Sequence, residues 1–191
     1  NYFCTFCSTK LVKGKLFSYP MDAIRQDVKS HLKTGCREIW ITSNDTGAYM
    51  VDQGGKQKLS ELLENILSVP LDFKVRVGMM NPGNTITILD QLIEIYKNPK
   101  MFKFLHIPVQ AGNNEILKSM NRRYSAEDFI NVVEAFRKEI PEITISTDII
   151  VGFPSETEEQ FNDSLKIIQK TRPDVLNISR YAVREGTIAA K

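Results

Sequence analysis

The sequence predicts an α/β fold in which parallel strands bend toward a barrel. Three observations predict it. Helical and strand patterns alternate along almost the whole chain, no β-hairpin signal joins two strands, and three strands keep one polar face. Strands separated by helix-length segments pair in parallel. An open doubly wound sheet, the alternative, is covered by helices on both sides and is apolar on both. The polar face therefore favours a barrel-type curve whose inner side surrounds a site.

The elements follow in order. Ile24, Val28 and Leu32 recur at helical spacing and predict a helix from about Met21 to Thr34, which Gly35 ends as a left-handed cap. "REIWITS" is short, β-branched and aromatic, and reads as a strand. Leu59, Leu62, Leu63 and Ile66 stripe the next helix, closed by Pro70, and "KVRVGM" is the next strand. Ile88, Leu89, Leu92, Ile93 and Tyr96 mark a helix that ends before Pro99, followed by the strand "KFLHIPV". Ile116, Leu117 and Met120 give a short helix. Ser125 and Asp128 open another as a capping box, with Phe129, Val132, Val133 and Phe136 on its buried side. "ITISTDIIVGF" is the strongest strand pattern. Thr157 and Gln160 box the last long helix, Pro173 stops it, and "VLNISRY" is the final strand.

The polar face is read from alternation. Thr144, Ser146 and Asp148 oppose Ile143, Ile145, Thr147 and Ile149; Phe104, His106 and Gln110 oppose Leu105, Ile107 and Val109; Asn177, Ser179 and Tyr181 oppose Leu176, Ile178 and Arg180.

Composition sets the bounds. The 191 residues make one domain or a large part of one, with 42% hydrophobic and 25% charged residues. A net charge of +2 announces no nucleic-acid surface. Neither a membrane span nor a signal-peptide pattern occurs in the sequence. Three cysteines, an odd number, argue against a disulfide framework and for a reducing, cytoplasmic compartment.

Sites in parallel α/β folds gather at the C-terminal ends of the strands. Here those ends read "TSNDTGAY", "GMMNPGN", "HIPVQAGNNE", "DIIVGFPSE" and "SRYAVREGT", all polar or glycine-bearing. Asp148 is the hardest to dismiss, because a carboxylate on a central strand needs hydrogen bonds. His106 shares its face. Asp45 has a plainer reading as the cap of its loop, and Arg122 and Arg123 as a solvated helix end unless they face the cleft. His31 reads as structural. Cys36 reads as a buried small apolar residue.

The chain opens "NYFCTFC", with Cys4 and Cys7 three apart. A thioredoxin-type pair sits between a strand and a helix, whereas "STKLVKGKLFSYP" reads as an extended loop. A structural zinc site needs four ligands, and only Cys36 and two distant histidines remain. An iron–sulfur cluster takes three or four thiolates, so two are too few, and one more just ahead of Asn1 would complete a set.

With that cysteine restored, the start becomes C-NYF-C-TF-C, which resembles the C-x3-C-x2-C loop of radical S-adenosylmethionine enzymes, with Phe6 as the typical aromatic. "LHIPVQAGNNEILKSMNRRY", "STDIIVGFPSETEEQF" and "SRYAVREGT" resemble the methylthiotransferase branch. "KGKLFSYP", "EIWITSNDTGAY" and "VRVGMMNP" resemble its archaeal and eukaryotic members, which act on N6-threonylcarbamoyladenosine beside the tRNA anticodon.

The resemblance implies a radical S-adenosylmethionine core, a partial (β/α)6 TIM-like barrel, over residues 1–191. It implies a [4Fe–4S] cluster held by Cys4, Cys7 and a cysteine upstream of Asn1. S-adenosylmethionine would meet Asn44 and Asp45 with its amino group and Arg122 with its carboxylate. Its ribose would lie by Ser146 and Asp148, and its adenine by the turn from Gly152 to Glu156, while His106 and Gln110 line the cavity. It implies a carbon radical that takes hydrogen from C2 of the adenine ring. A second [4Fe–4S] cluster in an N-terminal domain, a C-terminal RNA-binding domain, tRNA and an electron-donor protein belong to the same picture. On that picture the chain is truncated at its N-terminus and inactive alone. Ser155 in place of the usual glycine and Ala111 in place of serine are mild departures, small for small.

Overall fold

A computed structural model describes residues 3–191, apart from the side chain of Lys10. Among these residues are five strands: β1 (Glu38–Ile41), β2 (Lys74–Val77), β3 (Phe104–His106), β4 (Thr144–Val151) and β5 (Val175–Arg180). Eight α-helices alternate with them: α1 (Thr9–Lys13), α2 (Met21–Lys33), α3 (Leu59–Leu67), α4 (Pro82–Thr85), α5 (Leu89–Lys97), α6 (Asn114–Ser119), α7 (Ala126–Glu139) and α8 (Glu158–Thr171).

Every pairing is parallel. β1 pairs with β2, β3 with β4, and β4 with β5. The two sheets meet where Val75 bridges Met101 and where the Met80 N–H donates to the His106 carbonyl at 3.0 Å. The strands thus lie side by side in chain order. An open doubly wound sheet reverses its order at a switch point; this one does not, which is the topology of a barrel wall. The wall is an open arc, so the fold is a partial TIM-like barrel.

One side of the arc is the core. Ile39, Val75, Val77, Leu105, Ile107, Ile145 and Ile149 are buried beneath helices whose inner stripes include Leu62, Leu63 and Ile66 of α3, Leu92 and Tyr96 of α5, and Phe129, Val133 and Phe136 of α7. The capping boxes form as the sequence predicts: Ser125 with Asp128 starts α7, and Thr157 with Gln160 starts α8. Gly35, with φ of 101°, ends α2 in the left-handed region.

Some elements differ from expectation. The segment after Cys7 forms the short helix α1 instead of an extended loop. Cys36 is exposed, because the strand it precedes starts two residues later and the cysteine stays in the connecting turn. Pro82 starts α4, which Asn81 caps by accepting from the Gly83 N–H at 2.9 Å. Ile88 closes a 3-10 turn ahead of α5 and is only partly buried. His31 is exposed on α2, 3.4 Å from Asp27 one turn earlier.

Candidate functional site

The C-terminal ends of the strands converge on the loop that carries the cysteines. That loop is tied down at several points. The Cys7 N–H donates to the Cys4 carbonyl at 3.2 Å, closing a turn, and both cysteines border the same cavity. Thr5 donates from its backbone to the Met120 carbonyl and from its hydroxyl to the Ser119 carbonyl, at 3.2 and 2.8 Å. Its own carbonyl accepts from the Ala189 N–H at 2.9 Å. The Asn121 amide donates to the Phe3 carbonyl at 2.8 Å. Phe6 packs edge-on against Phe153, and Phe153 against Tyr181. The two thiols are therefore fixed at the strand tips by α6, by the turn after β4 and by the last residues.

A cavity of about 980 Å³ opens beneath them. Cys4, Cys7, Asn44, Asp45, Gln110 and Arg122 all border it. The sequence placed the cysteines in the leading loop, Asn44, Asp45 and Gln110 at strand ends and Arg122 at a helix end, and the fold brings all six to one cavity.

Asp45 is buried, and its carboxylate is held. Oδ1 accepts from the Asn81 N–H at 3.1 Å and Oδ2 from the Asn84 amide at 2.7 Å. Burial pushes its carboxyl above the ordinary range, partly countered by those two hydrogen bonds. Its side chain makes no cap to the 3-10 turn Thr46–Ala48 that it precedes, so the plainer reading of Asp45 as a loop cap does not hold. Asn44 beside it is exposed to the cavity.

Arg122 faces the cleft. Its guanidinium carbon lies 5.6 Å from the Phe6 ring and 5.8 Å from the Tyr124 ring. Its Nε is buried with no hydrogen-bond partner among the described residues. A buried donor without an acceptor is costly. Burial raises the Cys4 thiol above its usual value, and the Arg122 charge partly offsets that.

Gln110 extends β3 by bridging Ile149, yet holds a left-handed φ of 72°. Strain of this kind in a side-chain-bearing residue gathers at ligand sites, and it aims Gln110 into the cavity.

His106, Ser146 and Asp148 lie on the same inner face but not on the cavity wall. His106 sits opposite Ser146 in register, and Asp148 opposite Asn177. Asp148 Oδ2 lies 2.9 Å from His106 Nε2, and Oδ1 accepts from the Asn177 amide at 2.7 Å. Burial pushes the Asp148 carboxyl up; the hydrogen bonds from His106 and Asn177 more than offset it and hold it below the ordinary value.

Gly152 and Glu156 form a third group. Glu156 folds back on its own turn, accepting from the Gly152 N–H at 2.6 Å and the Phe153 N–H at 3.3 Å. Glu156 positions the turn that presents Phe153 to the cysteine loop. In that turn Ser155 adopts φ of 70°, a conformation that favours glycine. The departure from glycine is therefore conformational, not small for small.

Sequence reasoning missed the supports. Asn81 and Asn84 hold Asp45, and Met79, Met80 and Pro108 complete the wall. The signal was "NPGN", a turn sequence at a strand end, whose asparagines pointed to a site without saying which carboxylate they serve.

Among the described residues no cluster of three or more His, Cys, Asp or Glu side chains is arranged to hold a metal ion. Cys4 and Cys7 supply two thiols, which fits a three-thiolate cluster only with a further cysteine. The place expected for it borders Asn1 and Tyr2, which lie outside the described residues.

A strand-ordered parallel arc with a cysteine loop across its C-terminal mouth defines a class, and comparison with known proteins agrees. Residues 1–168 match the family model of the Radical SAM superfamily, and the chain belongs to that superfamily. Membership implies a [4Fe–4S] cluster and S-adenosylmethionine as cofactors.

The more particular likeness is to the methylthiotransferase branch. A probable threonylcarbamoyladenosine tRNA methylthiotransferase from Archaeoglobus fulgidus is 52% identical over 98% of this chain and 44% of its own length. The protein of that description from Pyrococcus horikoshii is 50% identical over the same shares. The threonylcarbamoyladenosine tRNA methylthiotransferase of Drosophila melanogaster is 41% identical over 98% of this chain and 34% of its own. The chain thus spans less than half the length of these relatives. Among solved structures, coproporphyrinogen III oxidase from Escherichia coli, a radical SAM enzyme, superposes with a TM-score of 0.65 at 22% identity, over 98% of this chain and 43% of its own. The cobalamin-dependent radical enzyme OxsB superposes at 0.69 and 13%, over 98% and 27%. These two bear out the fold.

Proposed function

We propose that this chain is the catalytic core of a tRNA methylthiotransferase that places a methylthio group on C2 of N6-threonylcarbamoyladenosine next to the anticodon. One observation carries the reading. The two thiols that would hold iron share a cavity with Arg122, whose buried Nε–H has no acceptor among the described residues. Relatives up to 52% identical that bear this function's name support the choice of substrate.

When bound, the cluster and S-adenosylmethionine supply an electron and a carbon radical. The residues of this chain do the rest. Cys4 and Cys7 would hold two of the cluster's irons. Arg122 takes the methionyl carboxylate through its planar fork. Asn44 and Asp45 receive the amino group, with the Asp45 carboxyl held in place by Asn81 and Asn84. Gln110 closes the side wall. The His106–Asp148–Asn177 network offers polar groups to ribose hydroxyls, with Ser146 in the same row, and the Gly152–Glu156 turn carries the backbone past the adenine. The walls exclude water from the radical's surroundings. The proposal includes a second-cluster domain and an RNA-binding domain outside this core. Near-neutral charge here fits an RNA grip that lies mostly outside this core. A cytoplasmic setting and a protein electron donor complete the proposal.

Anaerobic reconstitution of the full-length protein tests it. A cluster that cleaves S-adenosylmethionine to 5′-deoxyadenosine is expected. Mass analysis of tRNA nucleosides from cells lacking the gene should show threonylcarbamoyladenosine without its methylthio derivative; an unaltered methylthio pool refutes the assignment.

A further inference from the structure

The inner face of the arc holds a cation that the site above does not use. Arg76 sits on β2 between Val75 and Val77, both buried in the core. Alternation therefore turns Arg76 to the opposite, inner side. Trp40 is its register partner on β1. The Arg76 guanidinium carbon lies 4.6 Å from the Trp40 ring centroid and 4.1 Å from that of Phe104 on β3. The cation is held between two aromatic faces across three strands.

A guanidinium stacked this way keeps its N–H donors in the plane between the rings. Among the described residues Arg76 has these two ring contacts and no hydrogen bond or ion pair. The clamp fixes the plane while leaving the edge, five donors in a rigid fork, unmatched. Trp40, although on the inner face, stays 57% exposed, so the space beside the clamp is open. A structural arginine on a sheet ordinarily ends on a carboxylate or a carbonyl, and this one ends on neither.

Position matters as much as chemistry. Phe104 lies two residues before His106 on the same face of β3, so the clamp is about 7 Å below the His106–Asp148 pair at the strand rise of about 3.3 Å per residue. It lies toward the N-terminal ends of the strands, on the inner face whose C-terminal ends carry the cleft. A planar anion at the end of a short arm, reaching down from a base held at the mouth, would meet the fork edge-on.

We propose that Arg76, clamped between Trp40 and Phe104, is the residue that reads the carboxylate of the substrate base's acyl-amino-acid arm and so selects bases that carry one. This rests on the substrate reading above: a threonylcarbamoyl group ends in an amino-acid carboxylate, which a fork-shaped cation pairs with two parallel hydrogen bonds. Arg76 sets specificity by position and charge; it takes no part in the chemistry.

The test is a binding measurement with the full-length protein and three anticodon stem-loop RNAs. One carries threonylcarbamoyladenosine, one its carboxyl methyl ester, and one plain adenosine. Affinities come from fluorescence anisotropy at fixed salt. The wild type is expected to bind the acid about tenfold more tightly than the ester, the scale of one charge-assisted pair. Arg76→Met is expected to bring that ratio to about one, and Arg76→Lys, which keeps the charge but not the fork, to leave it between. The ratio is independent of the folded fraction, so a partly unfolded variant still reports. Equal acid-to-ester ratios in the wild type and Arg76→Met overturn the inference, as does a wild type indifferent to the ester. If the wild type prefers neither modified RNA over plain adenosine, this inference and the substrate reading both fall. If it prefers both equally, only this inference falls.

Discussion

His106 Nε2 and Asp148 Oδ2 lie 2.9 Å apart, joining β3 to β4 on the inner face of the arc, and Asn177 of β5 donates to the other oxygen of the same carboxylate at 2.7 Å. One side chain thus cross-links three consecutive strands at the level where the lumen widens into the cleft.

Replacing Asp148 by Ala removes the shared acceptor and is expected to cost about 1–3 kcal/mol in urea unfolding at neutral pH. The pH dependence has a definite sign. A carboxyl whose folded pKa is depressed stabilises the fold above its unfolded value and loses that contribution as pH falls through the folded value. Asp148 is depressed from 3.8. The wild type should therefore lose stability below about pH 4, and Asp148→Asn should show a flatter acid limb.

Of the glycines among the described residues, Gly112 makes the tightest approach. A Cβ there would lie 2.4 Å from Ser164 Cα on α8, and the Gly112 N–H donates to the Ser164 hydroxyl at 2.7 Å. Backbone cannot yield as a flexible side chain can. Gly112→Ala is expected to cost about 3 kcal/mol or to displace α8, and Ser164→Ala about 1–3 kcal/mol through the buried N–H it strands. Thermal unfolding measures both.

Ser155 and Gly152 form a matched pair in one turn, with φ of 70° and 72°. Nothing lies within 4 Å of a Cβ built on Gly152. Substitution there acts through conformation alone. Ser155→Gly is expected to stabilise by about 0.5–1 kcal/mol and Gly152→Ala to destabilise by about 1–2 kcal/mol. Opposite shifts in melting temperature check the pair.

Arg122 separates a ligand-binding role from a structural one. Removing a donor that already lacks an acceptor loses no hydrogen bond, so Arg122→Met should cost no more stability than its two ring contacts supply, about 1 kcal/mol. The same variant should weaken S-adenosylmethionine binding about tenfold or more, read by equilibrium dialysis of the reconstituted protein. A larger fall in stability with binding intact would make Arg122 a packing residue.

Much of the fold was legible in the sequence because period and capping are local. The five strands, the long helices and both capping boxes follow from residues within a few places of each other. The polar face of β3, β4 and β5 was legible for the same reason, and with it the barrel-type curve. What escaped depends on distant partners. Asp45 could be placed at a strand end, but its donors Asn81 and Asn84 arrive from the next strand's loop. Cys36 looked apolar by type, yet exposure is decided by where β1 begins. The glycine preference at Ser155 is invisible without a dihedral angle. Arg76 read as one charge within "KVRVGM", and its two rings come from strands on either side.

The anchoring of Thr5 bears on the order in which the protein can be built. Strands laid down in sequence can each dock on the one before as the ribosome emits them. The thiol loop cannot, since its supports are Ser119, Met120 and Ala189, which emerge much later. Within this core, the leading loop is the last segment to be seated. On the proposed function, iron would reach these cysteines only after translation of the whole core, and a nascent chain stalled before Ala189 would offer its thiols to any oxidant in reach.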